Sequence, residues 1–120
     1  MSTNSYIGKQ NDDGTVRAIY CHWDGYPSHV GSVLKLNYDS MPAIDALLDL
    51  GDLSSIDSRL DICVAYNRDR GEVGVDAKSY ASLETFVAGG SHVGANYWYL
   101  YREGVWKVWS HGETSWTSMQ

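Results

Sequence analysis

Several things are scarce in this chain, and each scarcity removes a class of protein. Only two cysteines occur in 120 residues, Cys21 and Cys63, with no CxxC and no close-spaced partner for either. That argues against a disulfide framework and against finger-type zinc spacing, and it predicts buried, reduced thiols in a cytoplasmic setting. No apolar run approaches the roughly 18 residues of a membrane span. The first residues carry neither a basic nor an apolar stretch, so no membrane anchor and no leader is expected. Basic residues are few: nine Lys and Arg against fifteen Asp and Glu give a net charge of −6. Such a balance opposes nucleic acid and anionic membrane as extended partners, while leaving room for a local cationic pocket. Phenylalanine is almost missing, with one Phe beside nine Tyr and five Trp. Tyr and Trp carry polar handles, so they suit either a packed sheet face or a recognition surface. There is no GxSxG, no HExxH, no internal repeat and no low-complexity tract.

What is present points to one domain over residues 1–120, since 43% apolar residues can build a core, though a thin one. Residues 6–10 and 15–22 flank the turn cluster Asn11-Asp12-Asp13-Gly14, which predicts an opening β-hairpin. In its second strand Val16, Ala18 and Tyr20 share one face, and Arg17, Ile19 and Cys21 the other, so both faces are partly apolar. Ser28 is placed to cap a helix whose Val30, Val33, Leu34 and Tyr38 fall at helical spacing. The clearest helix follows, capped by Ser40, with Pro42 in its first turn, a stripe of Met41, Ile44, Leu47 and Leu48, and Gly51 at its end. Residues 60–66 read as a largely buried strand and residues 67–71 as a loop. Ser79 or Ser82 can cap a third helix carrying Leu83, Phe86 and Val87 and closed by Gly89-Gly90. Residues 96–102 and 105–110 form a closing hairpin around Glu103-Gly104. The expected fold is therefore α+β: a mainly antiparallel sheet with a β-hairpin at each end and two to three short helices on one face.

The densest chemistry lies in Tyr20-Cys21-His22-Trp23-Asp24-Gly25-Tyr26-Pro27-Ser28-His29-Val30-Gly31, where two histidines, a carboxylate and three aromatics join a strand to a helix. His22, Asp24, His29 and Cys21 are competent zinc ligands, but their spacing is wrong for a known finger and neighbouring strand residues face opposite ways. No metal or other cofactor is expected. General acid–base work by His22 or His29 lacks a nucleophile, because Ser28 is better explained as a cap, so no catalytic residue is assigned. Anion binding fits better, since free amides at a helix start following this loop would seat a phosphate or carboxylate. Arg68-Asp69-Arg70-Gly71-Glu72 is the local concentration of positive charge that would complete such a pocket. The competing reading is a solvated loop in which Arg68 and Arg70 pair with neighbouring acids.

The run Tyr20-Cys21-His22-Trp23-Asp24-Gly25-Tyr26-Pro27, with Val30-Gly31 and the later Arg68-Asp69-Arg70-Gly71-Glu72, resembles a group of small, largely uncharacterised bacteriophage and prophage proteins. The resemblance implies a phage accessory protein acting against host immunity in the host cell cytoplasm. It brings no assigned site residues. The residues themselves lead to a non-enzymatic protein, expected as a homo-oligomer, that captures a small anionic nucleotide-type ligand. Arg68 and Arg70 would hold phosphates, His22 and Asp24 would read polar edges, Trp23, Tyr26 or Tyr97 would stack a ring, and His29 would close the binding loop. One rival is an acidic inhibitor that binds a host defence protein, of the anti-CRISPR or DNA-mimic type. The other is a small nucleotide hydrolase.

Overall fold

Two locally encoded hairpins form the centre of an eight-stranded sheet in the computed structural model, which describes residues 3–119. In the first, β1 (Ser5–Gln10) and β2 (Val16–Cys21) run antiparallel with Tyr6 opposite Tyr20 and Ile7 opposite Ile19. Their turn closes because the Asp13 carboxylate accepts hydrogen bonds from the Thr15 amide at 3.0 Å and the Thr15 hydroxyl at 2.7 Å. This is the local side-chain bonding that makes Asp a turn residue. The remaining strands, in chain order, are β3 (Leu53–Ser55), β4 (Val64–Ala65), β5 (Lys78–Tyr80), β6 (Tyr97–Arg102), β7 (Val105–Ser110) and β8 (Thr117–Ser118). β6 and β7 meet at Glu103 and Gly104, whose φ values of 54° and 82° give the two-residue turn that matches strand twist.

The two hairpins pack side by side through a parallel β1–β6 pairing, Ile7 opposite Tyr99. A parallel pairing needs a long crossover, and the chain between the hairpins supplies it. The order is β4-β3-β2-β1-β6-β7-β8. The outer edge of β2 is shared, with β3 parallel at Cys21 and β5 antiparallel along residues 16–18. Five of the seven pairings are antiparallel, which puts the fold in the α+β class.

Helices are α1 (Ser32–Asn37), α2 (Met41–Asp49), α3 (Tyr66–Arg70) and α4 (Leu83–His92). They divide between the two faces of the sheet instead of sharing one. Ile7, Ile19, Cys21, Tyr99 and Tyr101 form one core with Leu34 of α1 and Ile44, Leu47 and Leu48 of α2. Val16, Ala18, Trp98 and Leu100 form the other with Phe86 of α4. The physical reason is visible in β2 and β6, whose alternating positions are apolar on both sides, so each face needs a cover. Phe86 is fully buried in the smaller core, where truncation to Ala removes about 3–5 kcal/mol.

Four local expectations change. Residues 60–66 form a 3-10 turn (Leu60–Ile62), the two-residue β4 and the start of α3, not a continuous strand. Cys63 turns the chain here, its Sγ accepting from the Asp57 amide at 3.2 Å while Ile62 stays exposed. Residues 67–71 are helix α3 with Gly71 as its left-handed cap (φ 69°), not an open loop. Ser28 does not cap a helix: the chain enters through a π turn over Pro27–Gly31 whose cap position is Tyr26. By contrast, the Ser40 hydroxyl does accept from Ala43, and Ser82 forms a reciprocal capping box with Thr85. Gly89 and Gly90 lie inside α4. A Cβ on Gly90 would fall 2.3 Å from the Trp98 indole nitrogen, so that glycine admits the ring instead of ending the helix.

Candidate functional site

The histidine loop leaves β2 by extending its pairing with β3: the His22 and Trp23 amides donate to the carbonyls of Leu53 and Ser54, both at 3.0 Å. Asp24 then takes a left-handed conformation (φ 56°), which an Asp tolerates better than most side chains. Gly25 is pressed against the first strand, its amide donating to Thr3 O at 2.8 Å while the buried Tyr99 hydroxyl donates to its carbonyl at 2.7 Å. A Cβ there would lie 2.8 Å from Thr3 O, so only glycine fits. The next amides are already engaged, His29 N donating to Tyr26 O at 3.0 Å and Val30 N to Asp24 O at 3.3 Å. The first turn therefore gives those two donors to its own loop. Asp24 accepts from the Tyr26 hydroxyl at 3.2 Å, and Trp23 packs edge-on against His22 with centroids 4.7 Å apart. Trp23 and Tyr26 are exposed, and His29 is half-buried with its ring 6.5 Å from that of Tyr26.

The two arginines of α3 have different situations. Arg68 forms a fork on Asp69 through Nε and Nη2, both at 3.0 Å, and donates to the carbonyls of Leu60 at 2.8 Å and Cys63 at 2.6 Å. Asp69 in turn accepts from the Ala65 amide at 2.8 Å. The Arg68 fork holds the Asp69 carboxyl below its ordinary range, and Asp69 raises the guanidinium in return. Arg68 is thus a strut across the 60–69 segment and has little left for a phosphate. Arg70 is in no ion pair among the described residues and lies over the Tyr66 ring at 5.2 Å. Tyr97 belongs to the same end of the sheet as the histidine loop, since Ser5 pairs with both Cys21 and Tyr97. It lines a shallow polar cleft with Thr3, Asn96, Ser110 and His111, and stacks on Tyr99 at 6.4 Å. Among the described residues, no group of three or more His, Cys, Asp or Glu side chains is gathered as a metal would require. No helix among them is long and apolar enough to cross a membrane.

A different site lies on the α4 face, one residue pair from the histidine loop. Tyr6, Tyr20 and Tyr80, from β1, β2 and β5, line a cleft of about 290 Å³ together with Asp52, Lys78 and Val93. The hairpin register sets Tyr6 against Tyr20 (centroids 5.4 Å, 63°), and β5 sets Tyr80 opposite Val16 and Lys78 opposite Ala18. Asp52 enters from just before β3 and accepts from the Tyr20 amide at 2.9 Å. Its second oxygen faces the Lys78 ammonium at 4.0 Å, a loose pairing that leaves the carboxylate able to accept more. The Tyr20 hydroxyl contacts His22 Nδ1 at 2.8 Å, which joins the cleft to the loop.

Electrostatics follow from this burial. Desolvation pushes the Tyr6 phenol up to about 12, with Tyr80 and Asp52 adding to it, and the Tyr20 phenol up to about 12, with Tyr66 and Tyr6 adding. Burial raises Tyr80 and Asp52 as well, in the latter case against the lowering by the Tyr20 amide. The cleft is therefore lined by neutral hydroxyl donors, one carboxylate that resists ionisation and one ammonium. Sequence reasoning missed it. The Tyr6–Tyr20 pair could have been found by counting outward from the first turn, but nothing in the sequence brings Asp52, Lys78 and Tyr80 to that pair. Comparison with family models, with curated proteins and with solved structures returns no match.

Proposed function

We propose that this protein captures a small nucleotide-type ligand without cleaving it, and that the ligand sits in the Tyr6–Tyr20–Tyr80 cleft. The observation that carries this reading is the convergence of three phenols on the under-engaged Asp52–Lys78 pair. A base ring packs on tyrosine faces, its amino edge donates to Asp52, and Lys78 and the phenolic hydroxyls donate to carbonyl or phosphate oxygens. His22 reaches this site by its contact with Tyr20, and Arg70 covers Tyr66, the neighbour whose charge adds to the rise of the Tyr20 phenol, while Arg68 supports the fold. Capture is favoured over hydrolysis because the Tyr20 phenol, the one hydroxyl bonded to a histidine among the described residues, is moved away from the phenolate that a nucleophile requires. A phage origin, residence in the host cytoplasm and a role in blunting a host nucleotide signal are the context that the motif resemblance supplies for this reading, and a homo-oligomeric form goes with the capture reading itself.

The test is a melting series with cyclic dinucleotides and ADP-ribose derivatives, followed by chromatography of the ligand released on heating. Capture raises Tm by several degrees with one of these at saturation, by mass action on the native state, and returns that ligand intact. Release of an altered ligand means catalysis, and a flat Tm at millimolar concentration of every nucleotide removes the small-ligand reading.

A further inference from the structure

Beyond Phe86, on the same face of the sheet, a larger groove opens between α4 and the last strands. Its volume is about 500 Å³; Leu83, Val87 and Ala88 form one side and Trp109 and Trp116 the other, with Glu84 also in its lining. The two indoles make a corner, centroids 5.5 Å apart at 65°, and Phe86 backs Trp116 in a parallel stack at 6.4 Å. Glu84 is exposed and joins no ion pair among the described residues. Among the described residues, the cation that sits over an aromatic ring is Arg70 on Tyr66, and neither groove indole carries one. Indole faces attract cations, and a carboxylate beside them adds a charge partner that an apolar ligand would leave unused.

We propose that this groove docks a basic, otherwise apolar segment of a partner protein, which inserts one Arg or Lys side chain. The alkyl stem lies along Leu83, Val87 and Ala88, and the charged head reaches the Trp109–Trp116 corner and the Glu84 carboxylate. Charge complementarity selects this occupant. A net charge of −6 opposes nucleic acid. A second copy brings the same excess of acid, and five of its nine basic side chains (Lys9, Arg17, Arg59, Arg68 and Arg102) are already ion-paired, with Lys78 loosely so. The proposal stands apart from the tyrosine cleft, since it uses other residues and needs no nucleotide.

The experiment follows the indole N–H resonances of Trp109 and Trp116 in the full chain labelled with nitrogen-15, assigned through Trp109→Phe and Trp116→Phe. The probes are a capped peptide alternating Leu and Arg, the same peptide with Glu in place of Arg, and N-acetylarginine amide. The expected result is a saturable shift of both resonances with the Arg peptide and none with the Glu peptide. Free arginine amide should bind roughly tenfold or more weakly, because it lacks the apolar flanks. Glu84→Gln should weaken the peptide by about three- to tenfold, within the range of exposed cation–π and ion-pair strengths, and Glu84→Lys should abolish the shift. Equal shifts with both peptides would reduce the groove to an adhesive apolar surface. Arginine amide as tight as the peptide would make it a small-cation site, and shifts that follow protein concentration without peptide would assign it to a second copy. Each of these, or an unchanged Glu84→Lys, overturns the proposal.

Discussion

The histidine loop and the tyrosine cleft meet at one contact, Tyr20 to His22, yet they treat their polar groups in opposite ways. In the loop, the amides of His22, Trp23, Gly25, His29 and Val30 and the carbonyls of Asp24 and Gly25 all have partners within the protein. In the cleft, Asp52 has one strong partner and one loose one, and three hydroxyls are drawn into a poorly solvated space. The loop is richer in residues that carry chemistry, and the cleft is richer in groups with bonding capacity left. A ligand can only use the second kind, because a bond exchanged for an existing one adds little net free energy.

The sharpest way to break this contrast is Gly25→Ala. The added methyl has Thr3 O at 2.8 Å and the Asn4 carbonyl carbon at 2.9 Å to displace, which should remove about 2–3 kcal/mol and lower Tm by roughly 10 °C. A normal melting curve would mean the loop is not pinned to the first strand. Tyr99→Phe tests the same pin more gently. It leaves the buried Gly25 carbonyl without its donor and should reduce stability by about 1–2 kcal/mol in a denaturant titration, with the nucleotide response unchanged.

The two arginines separate the regions further. Arg68→Ala should lower Tm, since two carbonyls and Asp69 lose their donor, but leave the ligand-induced rise intact; Arg70→Ala should do the reverse. If both variants behave alike, the distinction between the two arginines fails.

The smallest effect belongs to Asp52. Its carboxyl is raised in the folded state, so its contribution to stability is full below the unfolded value near 3.8 and falls as pH rises through the higher folded value. Asp52→Asn keeps an acceptor for the Tyr20 amide and should therefore raise Tm slightly at pH 7, with the advantage vanishing near pH 3, while the nucleotide response is lost. A fall in Tm at pH 7 would mean the Lys78 pairing outweighs the desolvation. The phenols give the alkaline counterpart. With Tyr6 and Tyr20 at about 12 against 10.0 for free tyrosine, their contribution is full below pH 10 and lost as pH climbs to 12, and Tyr20→Phe should flatten that loss.

Much of the fold was legible because it is locally encoded. Asn11 to Gly14 and Glu103-Gly104 are turns by their own chemistry, and Ser40, Pro42 and Gly51 mark one helix at both ends. What misled was the run at residues 60–66, where apolar composition resembles a strand but Cys63 and Asp69 bond the chain back on itself. Ser28 misled for a related reason, because backbone carbonyls of the preceding loop took the role a cap would have had. The site was legible only in part. The sequence drew attention to His22 and its neighbours, and the cleft is in fact beside them, but on the face defined by Tyr20.

By itself, then, the amino-acid sequence determined the two hairpins, the Ser40 helix start, the two-sided apolar pattern of β2 and the acidic balance. These depend on residues a few positions apart, or on composition alone. Only the tertiary structure decided that β1 lies parallel to β6, that the helices split between two faces, and that Asp52, Lys78 and Tyr80 converge on Tyr6 and Tyr20. Those outcomes depend on which distant segments share an edge of β2. That choice is made by burying both faces of the sheet at once, a requirement no short stretch of chain can express.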